Sequence, residues 1–158
     1  MNARHISRIT AVALAVAATC GTAYELAEPV LLQTGGNPRV VARTDLNSDG
    51  LPDYIVANGN TQDISVFMND ETGVFTSKRI NTGLGPGRIN IVDVNSDGRP
   101  DVLVLNQGAQ VLSLLENDGA GNLALAWNIS VGRSPDRVVT WKSPSQLWFF
   151  APHAVSTR

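Results

Sequence analysis

The sequence predicts an all-β chain: a partial β-propeller of about two complete four-stranded blades with partial flanking blades, behind an N-terminal signal peptide. Three observations carry that expectation. A nine-residue Asp/Asn/Gly motif recurs 48 residues further along, and the apolar residues fall in short runs bounded by Gly, Pro, Asn and Asp. Past roughly the first 25 residues, no segment sustains a helical period.

Composition narrows the function classes. The 158 residues suffice for one domain of ordinary size. With 43% apolar and 16% charged residues, the chain is neither a disordered polar tail nor a multi-span membrane protein. A net charge of −2 argues against a phosphate-binding surface built on bulk positive charge, and no basic, aromatic patch points to nucleic acid.

At the N-terminus, Arg4, His5 and Arg8 precede an apolar run from Ile9 to Thr19. A basic prefix before an apolar core too short for a bilayer has the form of a secretory signal. Gly21 and Ala23 place small residues at −3 and −1 of a cut before Tyr24. Residues 1–23 are therefore expected to be a signal peptide. Lipidation at Cys20 and a retained anchor are the alternatives, the first disfavoured because Ala17-Ala18-Thr19 lacks a branched aliphatic residue. Cleavage takes away the only cysteine, Cys20, together with Arg4 and Arg8, so the mature chain has no disulfide and a net charge of −4. No membrane span remains after it. The expected location is secreted, periplasmic or cell-surface, with a signal of bacterial style.

A repeat organises the remainder. Asp45-Leu-Asn-Ser-Asp-Gly-Leu-Pro-Asp53 returns as Asp93-Val-Asn-Ser-Asp-Gly-Arg-Pro-Asp101, identical at seven of nine positions. Pro38 and Pro86, Asn58 and Asn106, Asn69-Asp70 and Asn117-Asp118, and Gly73 and Gly121 follow the same spacing of 48, which lengthens to 49 from Gly83 to Gly132 and from Pro86 to Pro135. The domain reading is a partial strand and inter-blade turn over 24–37, one repeat over 38–85, a second over 86–134 and a degenerate or truncated third over 135–158.

Each full repeat reads as four short strands: 39–44, 54–57, 64–68 and 74–80, then 88–92, 102–105, 111–115 and 123–131. The runs Tyr-Ile-Val-Ala and Val-Leu-Val-Leu suit strands buried on both faces. In the last strand, Leu123, Leu125, Trp127, Ile129 and Val131 are expected to share one face by strict alternation. Asn-Asp-x-x-Gly joins the third and fourth strands as a hairpin, with Gly73 and Gly121 free to adopt positive φ. Four strands per repeat of this length is the size of a propeller blade.

The motif D-x-N-x-D-G-x-x-D carries the chemistry. It offers oxygen side chains at positions 1, 3, 5 and 9, with a backbone carbonyl at position 7, and Ca²⁺ takes six to eight hard oxygen ligands. The candidate ligands are Asp45, Asn47, Asp49, Asp53 and the Leu51 carbonyl in one loop, and Asp93, Asn95, Asp97, Asp101 and the Arg99 carbonyl in the other. Three carboxylates packed this closely repel one another without a cation. About two Ca²⁺ are expected, enough to neutralise the mature charge. The competing reading is an Asp/Asn/Gly turn that needs no metal. An EF-hand is excluded, because position 12 is Val56 or Val104 rather than Glu and the flanks read as strands.

The loop, the apolar strand after it and the following N-D-x-x-G together resemble FG-GAP/VCBS-type repeats, the calcium-bearing blades of integrin α-chain propellers and many secreted bacterial proteins. The resemblance covers roughly residues 34–140. It implies an exported, non-enzymatic module for binding or adhesion, with an extracellular protein or carbohydrate as ligand. The alternative is a fragment or accessory domain of a secreted polysaccharide-active enzyme. Family propellers carry about seven blades. A short or truncated member is therefore expected, whose open apolar faces (Leu123, Leu125, Trp127 and Leu147 to Phe150) favour self-association or missing blades.

The third repeat has Lys142, Pro144, Gln146 and Phe150 at the ligand positions and holds no Ca²⁺ site. No catalytic residues are assigned: His153 has no Ser or Cys partner in the sequence pattern, and Gly83–Gly87 reads as an inter-blade turn rather than a phosphate loop. Trp127, Trp141 and Trp148 read as packing residues before sugar platforms. The Asn128-Ile-Ser130 sequon lies within a strand.

Overall fold

The computed structural model describes residues 11–14, 17–18, 25–26, 29–133, 135–142 and 147–150. The chain divides into two compact units, Met1–Thr34 and Gly35–Arg158. The first contains four short strands, Ala11–Leu14 (β1), Ala17–Ala18 (β2), Glu25–Leu26 (β3) and Val30–Gln33 (β4). β1 pairs antiparallel with β4, and β2 with β3. The expected cleavage point, Ala23, lies outside the described residues.

In the second unit, two four-stranded antiparallel sheets follow one another in strict sequence order. Blade 1 consists of Pro38–Thr44 (β5), Asp53–Asn58 (β6), Asp63–Asn69 (β7) and Phe75–Asn81 (β8). Blade 2 consists of Pro86–Val92 (β9), Asp101–Asn106 (β10), Val111–Asn117 (β11) and Leu123–Ser130 (β12). A hairpin of Val139–Lys142 (β13) and Leu147–Phe150 (β14) follows. No helix occurs among the described residues. The architecture is an all-β partial propeller.

The stacking follows from period-2 patterning of strands that are apolar on both sides. One face of blade 1 (Ile55, Ala57, Ile64, Val66) packs on one face of blade 2 (Val102, Val104, Leu115, Leu123), with Leu46 in the same core. The opposite face of blade 2 (Leu103, Leu105, Leu112, Leu114) packs against Val138, Trp127 and Phe149. Trp127 and Phe149 meet edge to face, with ring centroids 5.6 Å apart. At the connection between blades, the Gln107 and Ala109 amides donate to the carbonyls of Gly85 and Leu84. Gly85 has φ 65° there, and a Cβ on it would come within 3.0 Å of the Gly108 nitrogen.

One expectation about β12 is corrected. Its residues do not share a face, because the pairing shifts register between Leu114 and Leu115: Leu114 faces Trp127, whereas Leu115 faces Leu125. Ala126 is the extra residue of a β-bulge, and a one-residue slip exchanges the faces of everything beyond it. Leu123 therefore lies in the core between the blades, and Trp127 and Val131 lie on the far side of blade 2. The expected open apolar surface changes accordingly. Leu123 is buried, whereas Val139, Trp141, Trp148 and Phe150 are 51%, 65%, 53% and 68% exposed. These four occupy paired positions on one face of the β13–β14 hairpin.

Candidate metal loops and their supports

Loop 1 (45–53) joins β5 to β6, and loop 2 (93–101) joins β9 to β10. Both fold through the same side-chain-to-backbone bonds. In loop 1, the Asp49 amide donates to Asp45 Oδ1 and Asn47 Oδ1, the Gly50 amide to Asp45 Oδ2 at 2.9 Å, and the Leu51 amide to Asp49 Oδ1 at 2.7 Å. Loop 2 repeats each of them with the amides of Asp97, Gly98 and Arg99. Short Asx side chains mimic backbone in this way and fix tight turns. The reversal uses two left-handed residues per loop, Ser48 (φ 61°) with Gly50 (84°), and Ser96 (65°) with Gly98 (83°).

Position 9 behaves differently from positions 1, 3 and 5. Asp53 and Asp101 are fully buried, whereas Asp49 and Asp97 are exposed. Asp53 accepts the Leu46 amide at 2.8 Å and the Asn69 amide at 2.9 Å. Asp101 accepts those of Val94 at 3.0 Å and Asn117 at 2.9 Å. Each of these carboxylates ties its loop to the end of the third strand of its blade. Burial pushes the Asp53 carboxyl above its ordinary value. The two amide bonds oppose that rise, and the charges of Asp49 and Asp45 add to it.

Neighbouring hairpins brace the loops. Asp70 accepts the amides of Thr72 and Val74 and the Thr72 hydroxyl, and Asp118 accepts the amides of Ala120 and Asn122 and the Asn122 side-chain amide. Gly73 and Gly121 adopt φ of 78° and 79°, as the hairpin motif requires. The N-D-x-x-G pattern makes Asn117 a turn residue, yet its side chain crosses between blades. Its Nδ2 donates to the Leu46 carbonyl at 2.7 Å and to the Pro100 carbonyl at 3.2 Å. Nothing local signals a bond spanning 71 residues. A groove of about 490 Å³ opens between loop 1 and the two hairpins, with Asn47, Asp49, Asp70, Glu71, Lys78 and Gly121 in its lining.

As placed, the loop carboxylates face the loop's own amides, and no cluster of three or more His, Cys, Asp or Glu that could hold a metal is gathered among the described residues. The donor chemistry nevertheless fits a hard cation. Every side-chain donor at positions 1, 3, 5 and 9 is oxygen, and Asp45, Asp49 and Asp53 already act on one another electrostatically. A carboxylate offers about four acceptor sites, so the two amides on Asp53 leave lone pairs unused.

Fold and loops together define an all-β repeat module with an oxygen-rich loop at the same place in each blade. Residues 45–104, from the start of loop 1 into β10, match the family model of the FG-GAP-like repeat. No curated protein and no solved structure matches the chain.

Proposed function

We propose that the chain is an exported, calcium-binding propeller module that serves binding or adhesion, not catalysis. One observation carries the calcium reading: two oxygen-only loops 48 residues apart repeat the same set of amide bonds, although turn formation alone does not require conserving three carboxylates and an Asn in each. Ca²⁺ would be held by Asp45, Asn47, Asp49, Asp53 and the Leu51 carbonyl in loop 1, and by Asp93, Asn95, Asp97, Asp101 and the Arg99 carbonyl in loop 2. Its role is charge neutralisation and loop stiffening. Two such ions cancel the net charge of −4 over residues 24–158. FG-GAP-like repeat domains are generally non-catalytic. The groove beside loop 1 is the surface offered to an extracellular protein or carbohydrate ligand.

Calorimetry on the secreted chain tests this. Two Ca²⁺ are expected to bind, with Asp49→Ala and Asp97→Ala each removing one. Ca²⁺ is also expected to raise the melting temperature by binding the folded state. Absence of Ca²⁺-dependent heat, or binding unchanged in both variants, overturns the reading.

A further inference from the structure

The two loops share a backbone arrangement but differ in the charges around it. Position 7 is Leu51 in loop 1 and Arg99 in loop 2. The Arg99 guanidinium donates from Nη1 to the Asp118 carbonyl at 2.8 Å and stands 4.0 Å from Asp97 Oδ2, at position 5 of loop 2. A second difference accompanies it. Glu71 lines the groove beside loop 1, and the residue 48 positions later is Gly119. Gly119 has φ 86°, and a Cβ there would lie 2.8 Å from Arg99 Nε, so the small residue makes room for the guanidinium. Elsewhere the exchanges offset one another, since Lys78 and Met68 of the groove beside loop 1 are matched by Ala126 and Glu116, and the difference that bears on the loop itself is the guanidinium at Asp97. Around loop 1, the groove gathers Asp49, Asp70 and Glu71 against the single ammonium of Lys78.

We propose that Arg99 is a built-in counter-cation that makes loop 2 the weaker of two unequal divalent-cation sites and leaves loop 1 the tighter one. The inference rests on the calcium reading of the loops. A guanidinium beside Asp97 supplies part of the positive charge that a divalent ion would otherwise bring, and it repels that ion. Its hydrogen bond to the Asp118 carbonyl also holds loop 2 to its hairpin without metal. At a separation of several ångströms in a wet site, one fixed charge against a divalent ion amounts to about tenfold in affinity. Arg99 is a positioning residue here. Only its main-chain carbonyl belongs to the ligand set, and side-chain replacement leaves that carbonyl in place.

The test is calorimetric titration of the full secreted chain with CaCl₂ at fixed ionic strength. The two constants are assigned with Asp49→Ala and Asp97→Ala. The wild type is expected to show constants separated by about tenfold, with loop 1 the tighter. Arg99→Gln, which removes the charge and ends short of the Nη1 position, is expected to tighten loop 2 severalfold and leave loop 1 unchanged. Arg99→Lys, which keeps the charge, is expected to retain the weak constant. Melting in chelator checks that each variant folds. Equal constants in the wild type, or an unchanged loop 2 constant in Arg99→Gln, overturn the asymmetry while leaving the calcium reading standing. Absence of binding at either loop overturns both.

Discussion

Replacing Asn117 with Ala removes three hydrogen bonds at a site that is 3% exposed. The side chain donates to the Leu46 and Pro100 carbonyls and accepts the Gly119 amide at 3.1 Å. Each bond contributes about 1 kcal/mol net, and water cannot readily replace the buried ones, so the substitution should cost about 3 kcal/mol. For a domain of this size that corresponds to a fall of about 10 °C in melting temperature. Asn69 provides the control, since it occupies the same place in blade 1 but its Oδ1 is buried without a partner. Asn69→Ala should therefore cost under about 1 kcal/mol. Urea unfolding monitored by tryptophan fluorescence measures both, and the denaturant slopes should agree. Equal losses in the two variants, or a loss under about 1 kcal/mol for Asn117→Ala, would refute the idea that this side chain clamps one blade to the next.

Other outcomes follow from the same geometry. The Asp70 carboxyl is held below its ordinary value, first by the Thr72 hydroxyl and then by the Val74 amide. Its contribution to the hairpin is thus present above the unfolded-state value and lost as pH falls through the folded one. An NMR titration should show Asp70 rising toward the ordinary carboxylate range in Thr72→Val, and no movement would refute the assignment. Trp141→Ser with Trp148→Ser should reduce self-association measured by light scattering, because these rings dominate an exposed apolar face; a monodisperse parent would refute that. Peptide mapping of secreted material should find Tyr24 at the N-terminus, and recovery of residues 1–20 or a lipid on Cys20 would overturn the export reading.

Much of this fold was legible because blade strands declare themselves locally. The runs 54–57 and 102–105 sit inside β6 and β10, each extended by one residue at either end. Those added residues are Asp53, Asn58, Asp101 and Asn106, all fully buried polar groups that a hydropathy reading leaves in the loops. The same difficulty hid the structural share of Asp53 and Asp101. In the sequence they are two more acids in a ligand pattern, but in the fold they accept amides from a strand 16 residues away. The inter-blade bonds of Asn117 and Arg39 span 71 and 68 residues, and no local pattern encodes such distances. Alternation failed in β12 for a different reason: period-2 reasoning has no means of noticing a residue that the partner strand skips.

That skipped residue also accounts for the drift in the repeat. Spacing between equivalent residues is 48 up to Gly121 and 49 by Gly132, and Ala126 lies between them. The added length is taken up on the outermost strand, where β12 has a neighbour on one side only. The loop that carries the carboxylates lies at the other edge of the sheet, between β9 and β10, and keeps its form. A one-residue change of length is thus absorbed along the sheet's free edge, out of step with the strand beside it, while the carboxylate loop at the opposite edge is left undisturbed.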